Sequence, residues 1–129
     1  MIVKKEENTN WGNNTKTYPK IYEPKNYKEI ENILNNNKNF IVQGNRRSFG
    51  DGGLNKNEVL SMKNFNKIIN FDTKKGVIEA ESGLLLKDLL PVIVEKGWFL
   101  AVTPGTKYVS MGGMAANNVI GKNTFNNQI

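Results

Sequence analysis

Residues 42–53, Val42-Gln43-Gly44-Asn45-Arg46-Arg47-Ser48-Phe49-Gly50-Asp51-Gly52-Gly53, hold four glycines and two arginines. They lie between two short apolar runs, Phe40-Ile41-Val42 and Val59-Leu60-Ser61-Met62, that read as strands. A segment this rich in glycine cannot continue either strand. It must be a loop in which glycine admits positive φ and lets backbone approach a ligand closely. Successive N–H groups of such a loop can form an anion-binding concavity, and Arg46 and Arg47 add forked cationic donors. The functional reading is a diphosphate cradle. The bland alternative is a glycine-rich hairpin with two solvated arginines, and from this stretch alone both stay open.

The chain has 129 residues, the size of one ordinary domain. It carries a formal charge of +6, with lysines scattered among asparagines rather than gathered in a tail. That distribution describes a solvated surface biased toward anionic ligands. There is no cysteine and no histidine, which excludes disulfides, thiolate nucleophiles, imidazole bases and the commonest metal ligands within these residues. Met1 to Glu7 lacks a long apolar core of the signal-peptide kind, and no apolar run approaches the roughly 20 residues of a membrane helix. A cytoplasmic protein is expected.

Residues 1–16 read as a polar, irregular extension, with Trp11 expected to dock on the body. Tyr18 to Pro24 alternates apolar and polar between two prolines and predicts a short edge strand. Asn26 and Glu29 fit an N-cap and capping box for a helix with Tyr27, Ile30, Ile33 and Leu34 on its apolar side, stopped by Asn35-Asn36-Asn37. Phe40-Ile41-Val42 is expected as a buried strand. Ile68 to Phe71 and Val77 to Ala80 flank Asp72-Thr73-Lys74-Lys75-Gly76 and predict a hairpin. Leu84 to Val94 predicts a helix interrupted at Pro91 and ended by Gly97. Trp98 to Val102 is expected as a buried strand, and Thr103-Pro104-Gly105-Thr106 as a turn of type II character. Ser110-Met111-Gly112-Gly113 reads as a capped helix start. Its free N–H groups would offer a second anion or carbonyl site, and close packing of small residues is the equal alternative.

Taken together, the two loops resemble a known pattern. Residues 44–51 are similar to the G-x-G-R-S-Y-G-D loop of the FAD-linked oxidases of the vanillyl-alcohol oxidase/p-cresol methylhydroxylase family. Thr103-Pro104-Gly105-Thr106 and Ser110-Met111-Gly112-Gly113 resemble that family's P-G-T…GG segment. Gly121-Lys122-Asn123 is similar to the H-G-K-N run of the decaprenylphosphoryl-ribose oxidase and aldonolactone oxidase branch. The resemblance covers residues 17–129 and departs from the pattern at three places. Arg46 replaces the second glycine, Phe49 replaces tyrosine, and Ile120 replaces the histidine.

The resemblance implies an α+β fold, the PCMH-type FAD-binding domain. Residues 17–72 would form its first α/β subdomain, and residues 76–129 the opening part of the second. It implies that the chain is a fragment whose substrate domain lies elsewhere, so that the fragment alone is inactive. It implies FAD chemistry, with hydride passing from a CH–OH group of a sugar, polyol or aldonolactone to the flavin. By the same resemblance, Gly44, Asn45, Arg46, Arg47, Ser48, Phe49, Gly50 and Asp51 wrap the diphosphate. Pro104 and Gly105 approach the cofactor by backbone. Ser110, Met111, Gly112 and Gly113 line it, and Asn117 to Ile120 run near the flavin ring. The substrate is expected to be a small molecule, without nucleic acid. A reading from a different class is a basic module that binds a nucleotide or anion without catalysis. The aromatics are not interleaved with basic residues as base-stacking platforms require. A third reading is a structural piece without a ligand.

Family members that tether their flavin mostly use histidine or cysteine, often the histidine just before the loop serine. Here that position is Arg47, and no histidine or cysteine is present. Arginine stays protonated and cannot attack the flavin methyl. FAD held by these residues is therefore expected to be non-covalent. After acid precipitation of flavin-loaded protein the yellow colour should stay in the supernatant. A flavin-modified peptide within residues 1–129 would overturn this.

Overall fold

The computed structural model describes residues 1–36 and 39–121. Two compact units divide the chain, Met1–Phe65 and a second beginning at Asn66.

The first unit is built on a four-stranded mixed sheet in the order β1-β4-β6-β5, where β1 is Ile2–Lys5, β4 is Lys20–Glu23, β5 is Phe40–Gln43 and β6 is Glu58–Ser61. Strands β4, β6 and β5 run parallel, and β1 is antiparallel to β4 with Val3 opposite Tyr22. Two-residue strands β2 (Asn8–Thr9) and β3 (Lys16–Thr17) make a small separate ladder. Residues 1–16 thus supply β1, β2 and the start of β3, contrary to the irregular extension expected. The pairing of β1 also moves β4 from the expected edge to the interior of the sheet. Pro19 and Pro24 remain compatible because they flank β4 rather than enter it.

Helix α1, Tyr27–Asn36, crosses from β4 to β5. The Asn26 carboxamide accepts from the Glu29 N–H at 3.0 Å, and the Glu29 carboxylate accepts from the Lys25 N–H at 2.8 Å. These bonds satisfy donors that a helix start leaves open. Ile33 is buried with Tyr22 and Leu60, and Ile30, Phe40 and Met62 pack around them. Leu34, expected on the apolar side, is exposed. Tyr27 is exposed as well, and its ring meets that of Phe65 at 5.1 Å. Strand β5 is an edge strand rather than a buried one, with Val42 facing solvent. Asn37 lies outside the described residues.

Because β5 and β6 are parallel, residues 44–57 cannot be a hairpin. They must carry the chain back along the strands, a crossover usually made by a helix. Here an irregular loop does it.

In the second unit β7 (Ile68–Asp72) and β8 (Val77–Ala80) form the expected antiparallel hairpin. The Asp72 carboxylate accepts from the Lys74 and Lys75 N–H groups, and Gly76 takes φ +67°. Helix α2, Leu86–Glu95, buries Leu86, Leu89 and Ile93 with Leu84 and Met114, against Ile68, Phe71 and Ile78. Each such side chain contributes about 1.5–3 kcal/mol by burial. Pro91 lies inside α2. Past Lys96, Gly97 takes φ +79°, the Gly97 N–H reaches Val94 O and the Trp98 N–H reaches Ile93 O. That is the paired bonding of a Schellman end. Residues 98–102 are not the buried strand expected. Phe99 is exposed, and the Trp98 indole N–H binds Thr73 O at 2.8 Å while its ring covers Gly76. Only Val102 of that run is fully buried. Helix α3, Met111–Ala116, completes the described elements.

Glu23 at the end of β4 is buried between Lys4 (2.8 Å) and Lys63 (2.7 Å). Burial pushes its carboxyl up, but the two ammonium groups outweigh burial and hold it below the usual range. A carboxyl depressed in the folded state contributes stability above its unfolded value, about 4.3, and loses it as pH falls below that. The unfolding midpoint should therefore drop steeply between about pH 5 and pH 3. Glu23→Gln should lower stability at neutral pH and flatten this slope; an unchanged slope in urea titrations would count against the pairing.

Candidate functional site

The expected diphosphate loop leaves the carboxyl end of β5, where ligands of parallel sheets bind. Gln43, buried at the end of β5, donates to Gly53 O at 2.6 Å and to the Asn8 carboxamide oxygen at 3.2 Å. The Asn10 carboxamide donates to Phe49 O at 2.8 Å, and the Trp11 N–H to Ser48 O at 3.0 Å. The Arg47 guanidinium lies over the Trp11 ring, 4.6 Å from its centroid. Trp11 thus docks as expected, and it docks on the loop itself. Its indole stays half exposed.

The loop's backbone departs from expectation in one respect. None of Gly44, Gly50, Gly52 and Gly53 takes positive φ, and the left-handed residue is Arg46 at φ +54°. Arg46 stands where the family pattern has its second glycine, a residue that would take this conformation without strain. For an L-residue that bend costs about 1–2 kcal/mol. The loop glycines have another use. A Cβ at Gly50 or Gly52 would meet nothing within 4 Å, so both border open space. Arg46, Ser48 and Gly50, with Asn10 and Gln43, line a cleft of about 10 Å³. That is room for about one water molecule. A larger group must therefore lie across the loop's open face. Phe49 and Asp51 are exposed, and Asn45 and Arg47 half-buried. The Asn8 carboxamide nitrogen is buried without a hydrogen-bond partner among the described residues, and such a donor costs about 1–3 kcal/mol until an oxygen reaches it.

A larger concavity of the first unit, about 710 Å³, lies at the other end of the sheet among Lys4, Lys5, Lys20 and Lys56. It sits at the amino ends of β4 and β6, away from the loop. We read it as a solvated groove.

In the second unit the expected free N–H groups at the start of α3 are absent. Met111 N–H binds Leu84 O, Gly112 N–H binds Ser82 O, Gly113 N–H binds the Ser110 hydroxyl, and Met114 N–H binds Ser110 O. Ser110 is buried as the N-cap. The glycines serve packing. A Cβ at Gly112 would stand 2.7 Å from Ser82 Cβ, and one at Gly113 would stand 2.9 Å from the capping hydroxyl. With every early donor occupied, no anion site forms there.

Pro104 and Gly105 lie on an irregular stretch. Gly105 has no positive φ, so the turn is not type II, and it borders open space. Gly121 passes against the Thr103 backbone so closely that no Cβ would fit. Asn117 ends α3, its carboxamide donating to Gly113 O at 2.8 Å, and Ile120 is exposed. Lys122 and Asn123 lie outside the described residues. No grouping of carboxylates that could hold a metal occurs among the described residues.

Residues 19–128 match a family model described as an FAD binding domain. The chain belongs to that family. It is 32% identical over 88 residues to decaprenylphosphoryl-beta-D-ribose oxidase of Mycolicibacterium smegmatis, covering 64% of this chain and 18% of the relative. It is 29% identical over 125 residues to L-gulonolactone oxidase of Bos taurus, covering 93% and 27%. D-lactate dehydrogenase of Anaerostipes hadrus is 28% identical over 95 residues, covering 71% and 20%. Among solved structures a solvent-stable cholesterol oxidase superposes with a TM-score of 0.74 at 17% identity, covering 91% of this chain and 24% of the other. The fold is that of the PCMH-type FAD-binding domain, as expected, and the cofactor is FAD. The chain spans about a fifth to a quarter of the length of these relatives.

The loop's open face and the exposed Arg46 that lines its cleft suit a diphosphate. Sequence reasoning missed Asn8, Asn10 and Gln43. No signal in the sequence set them apart from the chain's other amides.

Replacing Arg46 by glycine removes the left-handed strain, and replacing it by valine worsens it. Arg46→Gly should leave the urea midpoint unchanged or raise stability by up to about 1 kcal/mol, whereas Arg46→Val should lower it by about 1–2 kcal/mol. Equal midpoints for the two variants would refute a left-handed Arg46.

Proposed function

We propose that this chain is the FAD-binding portion of a flavin-dependent oxidoreductase that oxidises a CH–OH group of a sugar, polyol or aldonolactone. The observation that carries the reading is the braced loop at the carboxyl end of β5, within the residues matched to the FAD binding domain. Relatives named as oxidases of a decaprenylphosphoryl ribose and of gulonolactone support the substrate class. When bound, FAD supplies a hydride acceptor for the C–H bond beside the hydroxyl.

The chain's own residues bind and orient. In this proposal Gly44 to Asp51 hold the diphosphate, with Gly50 giving the close approach and Arg46 the cation. Pro104 and Gly105 present backbone, and Asn117 and Ile120 stand near the flavin ring. Ser110, Met111, Gly112 and Gly113 support that region by packing rather than by donating. FAD is held reversibly, substrate recognition is assigned to residues other than these, and the protein works in the cytoplasm. No described helix is long and apolar enough to cross a membrane.

A Cβ at Gly50 would meet nothing within 4 Å, so the Gly50→Val variant should fold while filling the open face. By calorimetry Gly50→Val should weaken FAD binding at least about tenfold, roughly 1.4 kcal/mol, with an unchanged circular dichroism spectrum. Undiminished affinity would reject the loop as the diphosphate site.

A further inference from the structure

Resting on that reading, we infer that Asn8, Asn10 and Trp11 form a clamp that sets the shape of the diphosphate loop. Arg47 belongs to this clamp and is a positioning residue, which leaves Arg46 as the cation that faces the ligand.

The loop is an irregular parallel crossover, so it has no helix or ladder of its own to order it. Its order comes from outside. Asn10 holds Phe49 O, Trp11 N–H holds Ser48 O, and Asn8 holds Gln43, which in turn holds Gly53 O. Asn8 and Asn10 are buried, and the Gln43–Asn8 bond lies away from water, where a lost partner is costly. All three residues precede the stretch matched to the FAD binding domain, which begins at residue 19.

The neighbouring arginines separate by environment. Arg47 is half-buried over the Trp11 indole, a cation–π contact that fixes its guanidinium. Arg46 is exposed and lines the cleft with Ser48 and Gly50. A diphosphate on the loop's open face would meet Arg46, while Arg47 keeps Ser48 and its carbonyl in register.

Two readouts test this. The first is hydrogen exchange of the ligand-free chain. Trp11→Ala and Asn10→Ala should each speed exchange of the amides of residues 11 and 54, which bond the loop carbonyls of Ser48 and Asp51, by about tenfold while leaving the β7–β8 hairpin unchanged, and Trp11→Phe should restore protection. The second is FAD affinity at low and high salt. Arg46→Gln should weaken binding and reduce its salt dependence. Arg47→Gln and Trp11→Ala should weaken it with the salt dependence intact. Unchanged loop exchange in both alanine variants overturns the clamp, and so does Arg47→Gln flattening the salt dependence as much as Arg46→Gln. Weak or absent FAD affinity of the wild-type chain is expected of a portion of the cofactor site and leaves the exchange data to decide the clamp by themselves, whereas undiminished affinity in Gly50→Val overturns the functional reading instead.

Discussion

The buried carboxamide of Gln43 is the contact on which the first unit's site depends. It sits at the end of β5 with its donors aimed at two separate segments, Gly53 at the far side of the loop and Asn8 from the N-terminal residues. Its own backbone oxygen accepts from Met62 N–H, just past β6. A buried amide left without partners costs about 1–3 kcal/mol. One side chain therefore requires the strand end, both ends of the loop and the N-terminal segment to be in place together. Apolar contact could not set such a register, because it has no direction.

Backbone geometry follows from that bracing. An arginine in the left-handed region persists only where its surroundings over-determine it. The bonds on either side of Arg46, from Gln43 and from the carbonyls of Ser48 and Phe49, supply that constraint. Glycine at the same place would adopt the bend without help, but would offer no charge. The second unit solves a different problem with its glycines. Gly112 and Gly113 let α3 lie against Ser82 and the Ser110 cap, and the helix start is spent on its own protein.

Local signals in the sequence were legible where they were self-contained. The hairpin at Asp72–Gly76, the cap of α1 and the Gly97 helix end depend on residues within a few positions, and all three formed as read. The misreadings share a cause, which is partners distant in sequence. The segment Lys20–Glu23 looked like an edge until Ile2–Lys5 paired with it. Trp98–Val102 has strand composition, but its tryptophan is committed to Thr73 and Gly76. For the glycine loop a hairpin stayed open beside the cradle, because composition does not encode strand direction. At the site, the loop itself was visible and its supports were not, since an isolated asparagine carries no sign of whether it will be buried.

That asymmetry has a physical basis. Residues that touch a ligand by backbone must be small, and small residues leave a compositional trace. Residues that hold such a backbone in place need only a donor or acceptor at the right distance, and asparagine at positions 8 and 10 looks no different from the many solvated asparagines of this chain. The difference lies in burial alone: Asn8 is fully buried and Asn10 nearly so. A buried carboxamide that bonds a loop carbonyl resists rearrangement, because moving the loop would leave the carboxamide without that partner. The shape of the open face at Gly50 is thus set by polar bonds beneath it, and a ligand there would meet a surface already ordered.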